Sequence, residues 1–348
     1  MIIVLNYFLM GGVDVTQQLS NLQNEIILQK AKEMGIACTP LLADCEDFLE
    51  LSYKGKTIII NKSRSHQLLL ISGLLAQNKE ATNKLLARSH LPIADTLIVE
   101  EISEQSIQFL ARNEAVVVKP INAKCSLGVT IGITTVEQLT QAAIVAKRYS
   151  QKIMIQKYVP GHDYRVLVID GQMIGVLEYR SAFVEGDGNS TIRQLIARLN
   201  DKQLKKNTLD GHASIQKIEA ESRELQSILQ QNGLTLDDVL AKEQQLDLFT
   251  DDNMVVTAFY DVVTDRTEEI CQENIGMAIR AAKALQIDVA GIDIRCLHIN
   301  KPLDESNGVI LEVNALPDLV DPSIYFEKTT KNAAESYLTY LFAIEKEQ

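Results

Sequence analysis

The chain has 348 residues, of which 23% are charged and 46% hydrophobic, and its formal net charge is −12. That length favours two or three subdomains, with the ordinary balance of a folded globular protein rather than a disordered one. No Lys/Arg block supplies the concentrated basic face that nucleic acid requires, although a few placed cations still allow a phosphorylated ligand.

Residues 1–10 form an apolar run without a basic flank, too short to span a bilayer, and read as a first β-strand. No membrane segment is expected. Ser20-Asn21-Leu22-Gln23 has capping-box spacing ahead of a helical pattern through Ile26, Ile27, Ala31 and Met34, with Gly35 able to close it. Residues 36–40 and 57–61 read as extended, so the first ~80 residues alternate strand and helix as a small α/β unit.

Residues 81–87 read as a helix, 114–120 as a buried strand, 129–133 as its hairpin partner and 136–147 as a helix. A strand over 153–158 stops at Val159-Pro160-Gly161. Residues 164–169 and 172–177 alternate around Asp170-Gly171, a hairpin signal. Helices follow over 192–199 and 225–231, with the polar stretch 200–213 between them assigned no core. Segments 255–263, 274–285, 289–294 and 309–313 complete a strand–helix–strand–strand series. The class is α+β with mixed antiparallel sheets.

Five scattered cysteines (Cys38, Cys45, Cys125, Cys271, Cys296) without a CxxC pair argue against a disulfide framework and a structural zinc site, and the cytoplasm is the expected home.

The most informative segments are Gly291-Ile292-Asp293-Ile294 and Ile310-Leu311-Glu312-Val313-Asn314. Strand alternation turns Glu312 and Asn314 to one face, and with Asp293 from a neighbouring strand they form a hard oxygen set suited to Mg²⁺ between nucleotide phosphates. The bland alternative is an acidic strand end facing water. Lys119, closing an apolar strand, can donate to phosphate, with the loop 121–128, including Ser126, as its cover. The segment Gln156-Lys157-Tyr158-Val159 can offer backbone groups to an adenine edge and Asp163 can accept from ribose hydroxyls; the alternative is a plain β-turn. Arg165 and Arg180 have the fork geometry for an acyl phosphate or carboxylate, or for a surface ion pair. Gly186-Asp187-Gly188 makes a tight turn and Thr191 an N-cap.

In this order and spacing the segments resemble the ATP-grasp superfamily, in particular the ATP-grasp portions of cyanophycin synthetase and of bifunctional glutathione synthetase. The likeness runs through Lys79 and residues 82–86, 116–120, 156–165, Arg180, 186–192, 233–236, 261–265, 290–293 and 312–315. It implies two α+β lobes clasping ATP, divided as residues 81–158 and 159–348, preceded by the small α/β subdomain over 1–80. It further implies phosphate contacts from Lys84 and Lys119, adenine contacts from the Lys157, Tyr158 and Val159 backbone, a polar contact from Gln156 and a ribose contact from Asp163. Asp293, Glu312 and Asn314 become ligands for two Mg²⁺ ions, and Arg165 and Arg180 hold the acyl phosphate and incoming substrate. The implied reaction joins a carboxylate to an amine of amino acids or short peptides through an acyl phosphate, releasing ADP and phosphate. Homo-oligomerisation is a family expectation.

Four departures stand out. The cover loop is poor in glycine; Thr250-Asp251-Asp252-Asn253 replaces a Ser-Thr-Gly-Gly-like substrate loop and suits an ammonium better than a carboxylate; Asp318 follows Pro317 where glycine is usual; and the second ligase module of cyanophycin synthetase is not in this chain. They motivate a second reading, a catalytically impaired nucleotide-binding module serving as a regulatory or partner subunit. A related kinase or carboxylating enzyme is a third.

Overall fold

The computed structural model describes residues 21–43, 45–122, 127–210, 218–248, 262–304, 306–325 and 332–344. Helix α1 (Leu22–Glu33) starts where the Asn21 side chain accepts from the Asn24 N–H. Ser20 and the predicted strand over 1–10 lie outside the described residues. Strands β1 (Ala37–Leu42), β2 (Cys45–Tyr53), β3 (Lys56–Asn61) and β4 (Arg64–Ser65) then pair in sequence order as an antiparallel sheet. The predicted alternation of strand and helix gives way here to a meander. Its second strand escapes sequence reading because Glu46, Asp47 and Glu50 interrupt the apolar residues, yet Leu49 and Leu51 both turn inward at the period of two. Helices α2 (Leu70–Ala76) and α3 (Lys79–Arg88) follow, α3 being capped by Asn78, which accepts from the Ala81 N–H.

A second antiparallel sheet is built from β5 (Thr96–Val99), β6 (Val116–Pro120), β7 (Thr130–Ile133) and β8 (Ile153–Lys157) in the order β5-β8-β6-β7. Helices α4 (Glu104–Asn113) and α5 (Val136–Lys147) cover it, and Phe109, Val116, Val118, Leu139 and Ile155 give it a core of its own. The strand 114–120, its hairpin partner and the helix 136–147 all form as predicted. Residues ahead of this sheet belong elsewhere: Leu86 and Leu91 enter the core of the large sheet, and the Ile310 N–H donates to Pro92 C=O at 2.9 Å.

The large sheet is assembled from β9 (His162–Ile169) and β10 (Gln172–Arg180), the predicted hairpin around Asp170-Gly171, with three later strands. Between them an insertion of β11 (Phe183–Glu185), α6 (Ile192–Asp210), α7 (Arg223–Gln231) and β12 (Gln245–Asp247) has a separate core around Ile192, Ile196, Leu229 and Leu240. Thr191 and Gln194 cap α6 reciprocally. That helix runs past the predicted 199 because buried Asn200 exchanges hydrogen bonds with both backbone groups of Ile218, so a polar residue is fixed inside. Strand β13 (Val262–Asp265), helix α8 (Gln272–Ala284), β14 (Val289–Cys296), β15 (Gly308–Asn314), α9 (Val320–Tyr325) and α10 (Ala333–Phe342) complete the fold. The sheet order is β13-β10-β9-β14-β15, antiparallel throughout.

Alternation along these strands gives the large sheet two unlike faces. Tyr164, Val166, Val168, Ile292, Ile294 and Cys296 pack on α8. On the opposite face Leu167, Ile169, Ile174 and Val289 are covered by the first sheet and α10, through Leu49, Leu51, Ile60, Tyr337 and Leu338. The first sheet thus shares its core with the large one. Leu51 is fully buried in that joint core, so Leu51→Ala is expected to lower the unfolding free energy by about 2–5 kcal/mol. Denaturant unfolding should remain one transition; an early transition confined to the first sheet would show that the two sheets do not unfold together.

Candidate active site

Beyond its apolar half, the second face of the large sheet changes character. Asp163 and Arg165 on β9, Tyr179 on β10, Asp293 and Arg295 on β14, and Glu312 and Asn314 on β15 share it by strand period and register, with Asp293 opposite both Arg165 and Glu312. The sequence-predicted oxygen set is therefore brought together. Arg165 donates to both Asp293 oxygens, from Nε at 2.7 Å and Nη2 at 2.9 Å, and the Asn314 amide donates to Asp293 Oδ2 at 2.9 Å. The Asp293 charge holds the Arg165 guanidinium firmly protonated. Its stem crosses β14 at Gly291, where an added Cβ would stand 3.5 Å from Arg165 Cδ and 3.3 Å from Pro317 Cβ.

Cations converge on the same edge. Lys79, the first residue of α3, places Nζ 3.5 Å from Glu312 Oε1. Lys119 on β6 donates to Gln156 Oε1 at 2.8 Å, and buried Gln156 reaches Thr96 Oγ1 at 3.4 Å. Burial pushes the Lys119 ammonium down to about 8, the Lys79 charge adds to the shift and the Glu312 charge opposes it. These three side chains therefore sense one another across the gap between the two sheets. Lys84 stands apart: it is exposed on α3 and pairs with Glu80 at 2.8 Å, so Lys79 from the same helix supplies the inward cation. Helix phase separates the two lysines, and no composition signal marks which points inward.

The link between the lobes is short and anchored on both sides. Lys157 and Tyr158 donate their N–H groups to Asp95 C=O and Ala115 C=O of the small lobe, whereas Val159 C=O accepts from Arg295 Nε at 2.8 Å. Gly161, at φ +132°, lies so close to β14 that a Cβ would fall 2.3 Å from the Cys296 carbonyl carbon. Arg295 Nη1 also donates to both Asp163 oxygens at 3.0 Å. Arg295 is a site residue that motif reading passes over, although its position two residues after Asp293 puts it on the same strand face.

Arg180 is not brought to the Asp293 group. Its guanidinium is held by Gln245 at 2.9 Å and Asp247 at 3.4 Å, and stacks 4.2 Å from the Phe183 ring centroid. Asp318 has a local role: its oxygens accept from the Val320 and Asp321 N–H groups and so start α9. Burial and the Asp321 charge push its carboxyl up. Tyr179, below Arg165, donates to Asp321 at 3.1 Å. Ser126 and residues 250–253 lie outside the described residues.

Asp293, Glu312 and the Asn314 carbonyl are oxygen donors from adjacent strands, the chemistry Mg²⁺ accepts when water and phosphate complete its shell. Among the described residues no group of three His, Cys, Asp or Glu side chains is arranged to hold a metal alone. The donor set fits a cation that arrives with phosphates.

Two antiparallel sheets joined by a short connector, with this charged face between them, make the ATP-grasp fold. Residues 76–194 match the family described as the RimK-like ATP-grasp domain. It is 32% identical over 328 residues to cyanophycin synthetase of Trichormus variabilis, an alignment that covers 92% of this chain and 35% of that protein. The identity is 25% over 326 residues to the glutathione biosynthesis bifunctional protein GshAB of Clostridium perfringens, covering 92% of this chain and 41% of the relative. The chain thus spans little more than a third of these relatives' length. Among solved structures, the bifunctional glutathione synthetase from Pasteurella multocida superposes with a TM-score of 0.70 at 23% identity, over 93% of this chain and 44% of that one.

Because Gly161 is pressed on the β14 backbone in a conformation that side chains rarely adopt, Gly161→Ala should destabilise the protein by at least about 1–3 kcal/mol. Thermal melting checks it; an unchanged melting temperature would mean that the connector is not fixed there.

Proposed function

We propose that the chain is an ATP-dependent carbon–nitrogen ligase that activates a carboxylate as an acyl phosphate and joins it to an amine of an amino acid or short peptide. The observation that carries this reading is the convergence of Asp293, Glu312 and Asn314 with Arg165, Lys79 and Lys119 on one sheet face between the lobes.

The nucleotide would lie along that face. The Val159 N–H has no hydrogen-bond partner among the described residues and suits an adenine ring nitrogen, with the Lys157 backbone and Gln156 beside it. Asp163, about half exposed, accepts from ribose hydroxyls. Lys79 and Lys119 donate to the phosphates, which takes Lys119 away from Gln156 and Lys79 from Glu312. Glu312, Asp293 and Asn314 would hold Mg²⁺, which neutralises phosphate charge and orients the terminal phosphoryl group.

The substrate carboxylate oxygen attacks the γ-phosphorus, the bond to the β–γ bridging oxygen breaks, and ADP leaves. Arg165 would hold the acyl phosphate, a reading supported by its fork, which matches a planar pair of oxygens in Asp293. The amine then attacks the acyl carbon, loses a proton, and phosphate departs to leave the amide. The protein contributes position and electrostatics, as phosphoryl transfer requires. Arg180, fixed by Gln245 and Asp247, would meet a substrate carboxylate at the rim formed by the insertion.

A second reading, a nucleotide-binding module without turnover, is favoured by one observation: both Asp293 oxygens are already engaged by Arg165. A phosphate-release screen with Mg²⁺-ATP across paired amino acids and dipeptides separates the two, with product mass identifying the bond. Mg²⁺-ADP binding without release across the whole screen would leave the module.

Asp293→Asn and Glu312→Gln should each abolish ADP formation in that assay while the fold persists by circular dichroism; parent-level activity in both would end the metal assignment. A pH dependence follows from Lys119. It is charged below about 8 and neutral above, so Mg²⁺-ADP affinity should fall as pH rises through 8, by up to about tenfold per unit. Lys119→Arg stays charged and should flatten this slope in calorimetric titrations; an identical slope in that variant would place the titration elsewhere.

A further inference from the structure

Arg295 makes three contacts at once with the nucleotide end of the proposed site. Nε donates to Val159 C=O at 2.8 Å, Nη1 donates to both Asp163 oxygens at 3.0 Å, and the guanidinium carbon lies 5.5 Å from the Tyr158 ring centroid. It reaches all three because β14 and β9 pair in register, with Arg295 directly opposite Asp163. The arginine side chain is 16% exposed and the Asp163 side chain 48% exposed, so the guanidinium lies beneath and the carboxylate faces outward.

Chemistry gives this layering a consequence. One donor nitrogen occupies one lone pair on each Asp163 oxygen and leaves the outward pair on each free. An ionised carboxylate held this way accepts from two neighbouring hydroxyls together. A carboxylic acid, by contrast, would turn one oxygen into a donor. The same guanidinium holds the carbonyl of Val159, the residue whose own N–H, in the preceding peptide, would face the base. Base and sugar contacts are thus set by a single side chain.

We propose that Arg295 is the positioning residue for nucleotide recognition, holding Asp163 as a double acceptor for the 2′- and 3′-hydroxyls of a ribonucleotide and fixing Val159 toward the base. The inference rests on the nucleotide reading above and extends it to a selectivity for ribose over deoxyribose. Arg295 itself touches no reacting atom.

The test is calorimetric titration of the full chain with ADP and with 2′-deoxy-ADP, each with Mg²⁺. The unmodified protein should prefer ADP. Arg295→Met should weaken ADP binding about 10- to 100-fold, the range for a lost charged hydrogen bond, and bring the two nucleotides close to parity. Arg295→Lys, which keeps a cation beside Asp163, should retain the preference while losing affinity through the Val159 contact. In the double variant Arg295→Met/Asp163→Asn, the second change should add little.

Equal affinity of the unmodified protein for both nucleotides overturns the inference. So does an Arg295→Met variant that retains the preference, or an Arg295→Lys variant that loses it. If the methionine variant does not fold, the lysine variant decides by its ratio of affinities. Failure of the unmodified protein to bind Mg²⁺-ADP at all would instead remove the nucleotide reading, and this inference with it.

Discussion

The pairing of Arg165 with Asp293 across β9 and β14 is the constraint on which the rest of the site depends. Placing many ionisable side chains on half of one sheet face carries a desolvation cost that only close opposite charges offset. The face answers with alternating sign: Asp163 against Arg295, Arg165 against Asp293, and Glu312 against Lys79. Register makes this possible, because Arg295 stands opposite Asp163 and Arg165 opposite Asp293 in the same strand pair. A slip of either strand by one residue would send its own two, Asp163 and Arg165 or Asp293 and Arg295, toward α8 and its apolar partners.

The other half of that face explains the architecture around it. Leu167, Ile169 and Val289 are buried by the first sheet and α10, so these peripheral elements press on the same strands that carry the charges. The brace reaches the segment after β15 as well, where the Ser63 hydroxyl donates to Pro317 C=O at 2.7 Å. Pro317 in turn lies against Gly291, beside the Arg165 stem. Packing thus extends from residues near the start of the chain to the guanidinium at the centre of the site.

The small lobe has its own core and meets the large one through few covalent residues. Tyr158 is tied to β6 territory through Ala115, and Val159, the next residue, to Arg295 of the large sheet. The chain therefore crosses from one lobe to the other within a single peptide, and the groups suited to a base lie at that crossing.

The sequence alone determined the elements with clear periodicity: the 136–147 helix, the hairpin at Asp170-Gly171, the strands that carry Asp293, Glu312 and Asn314, and the ordered motifs that resemble ATP-grasp proteins. Local signals of period and turn chemistry suffice there. It did not reveal β2, whose carboxylates mask two inward leucines, nor the extension of α6, which depends on Asn200 bonding to Ile218. Only tertiary structure decided that Lys79 rather than Lys84 faces Glu312, that Arg180 is held within the insertion, and that Arg295 joins the connector to Asp163. Each of those outcomes turns on which long cationic side chain finds a carboxylate or carbonyl across a sheet register or a helix phase, and that distance is set by the packing of segments remote in sequence.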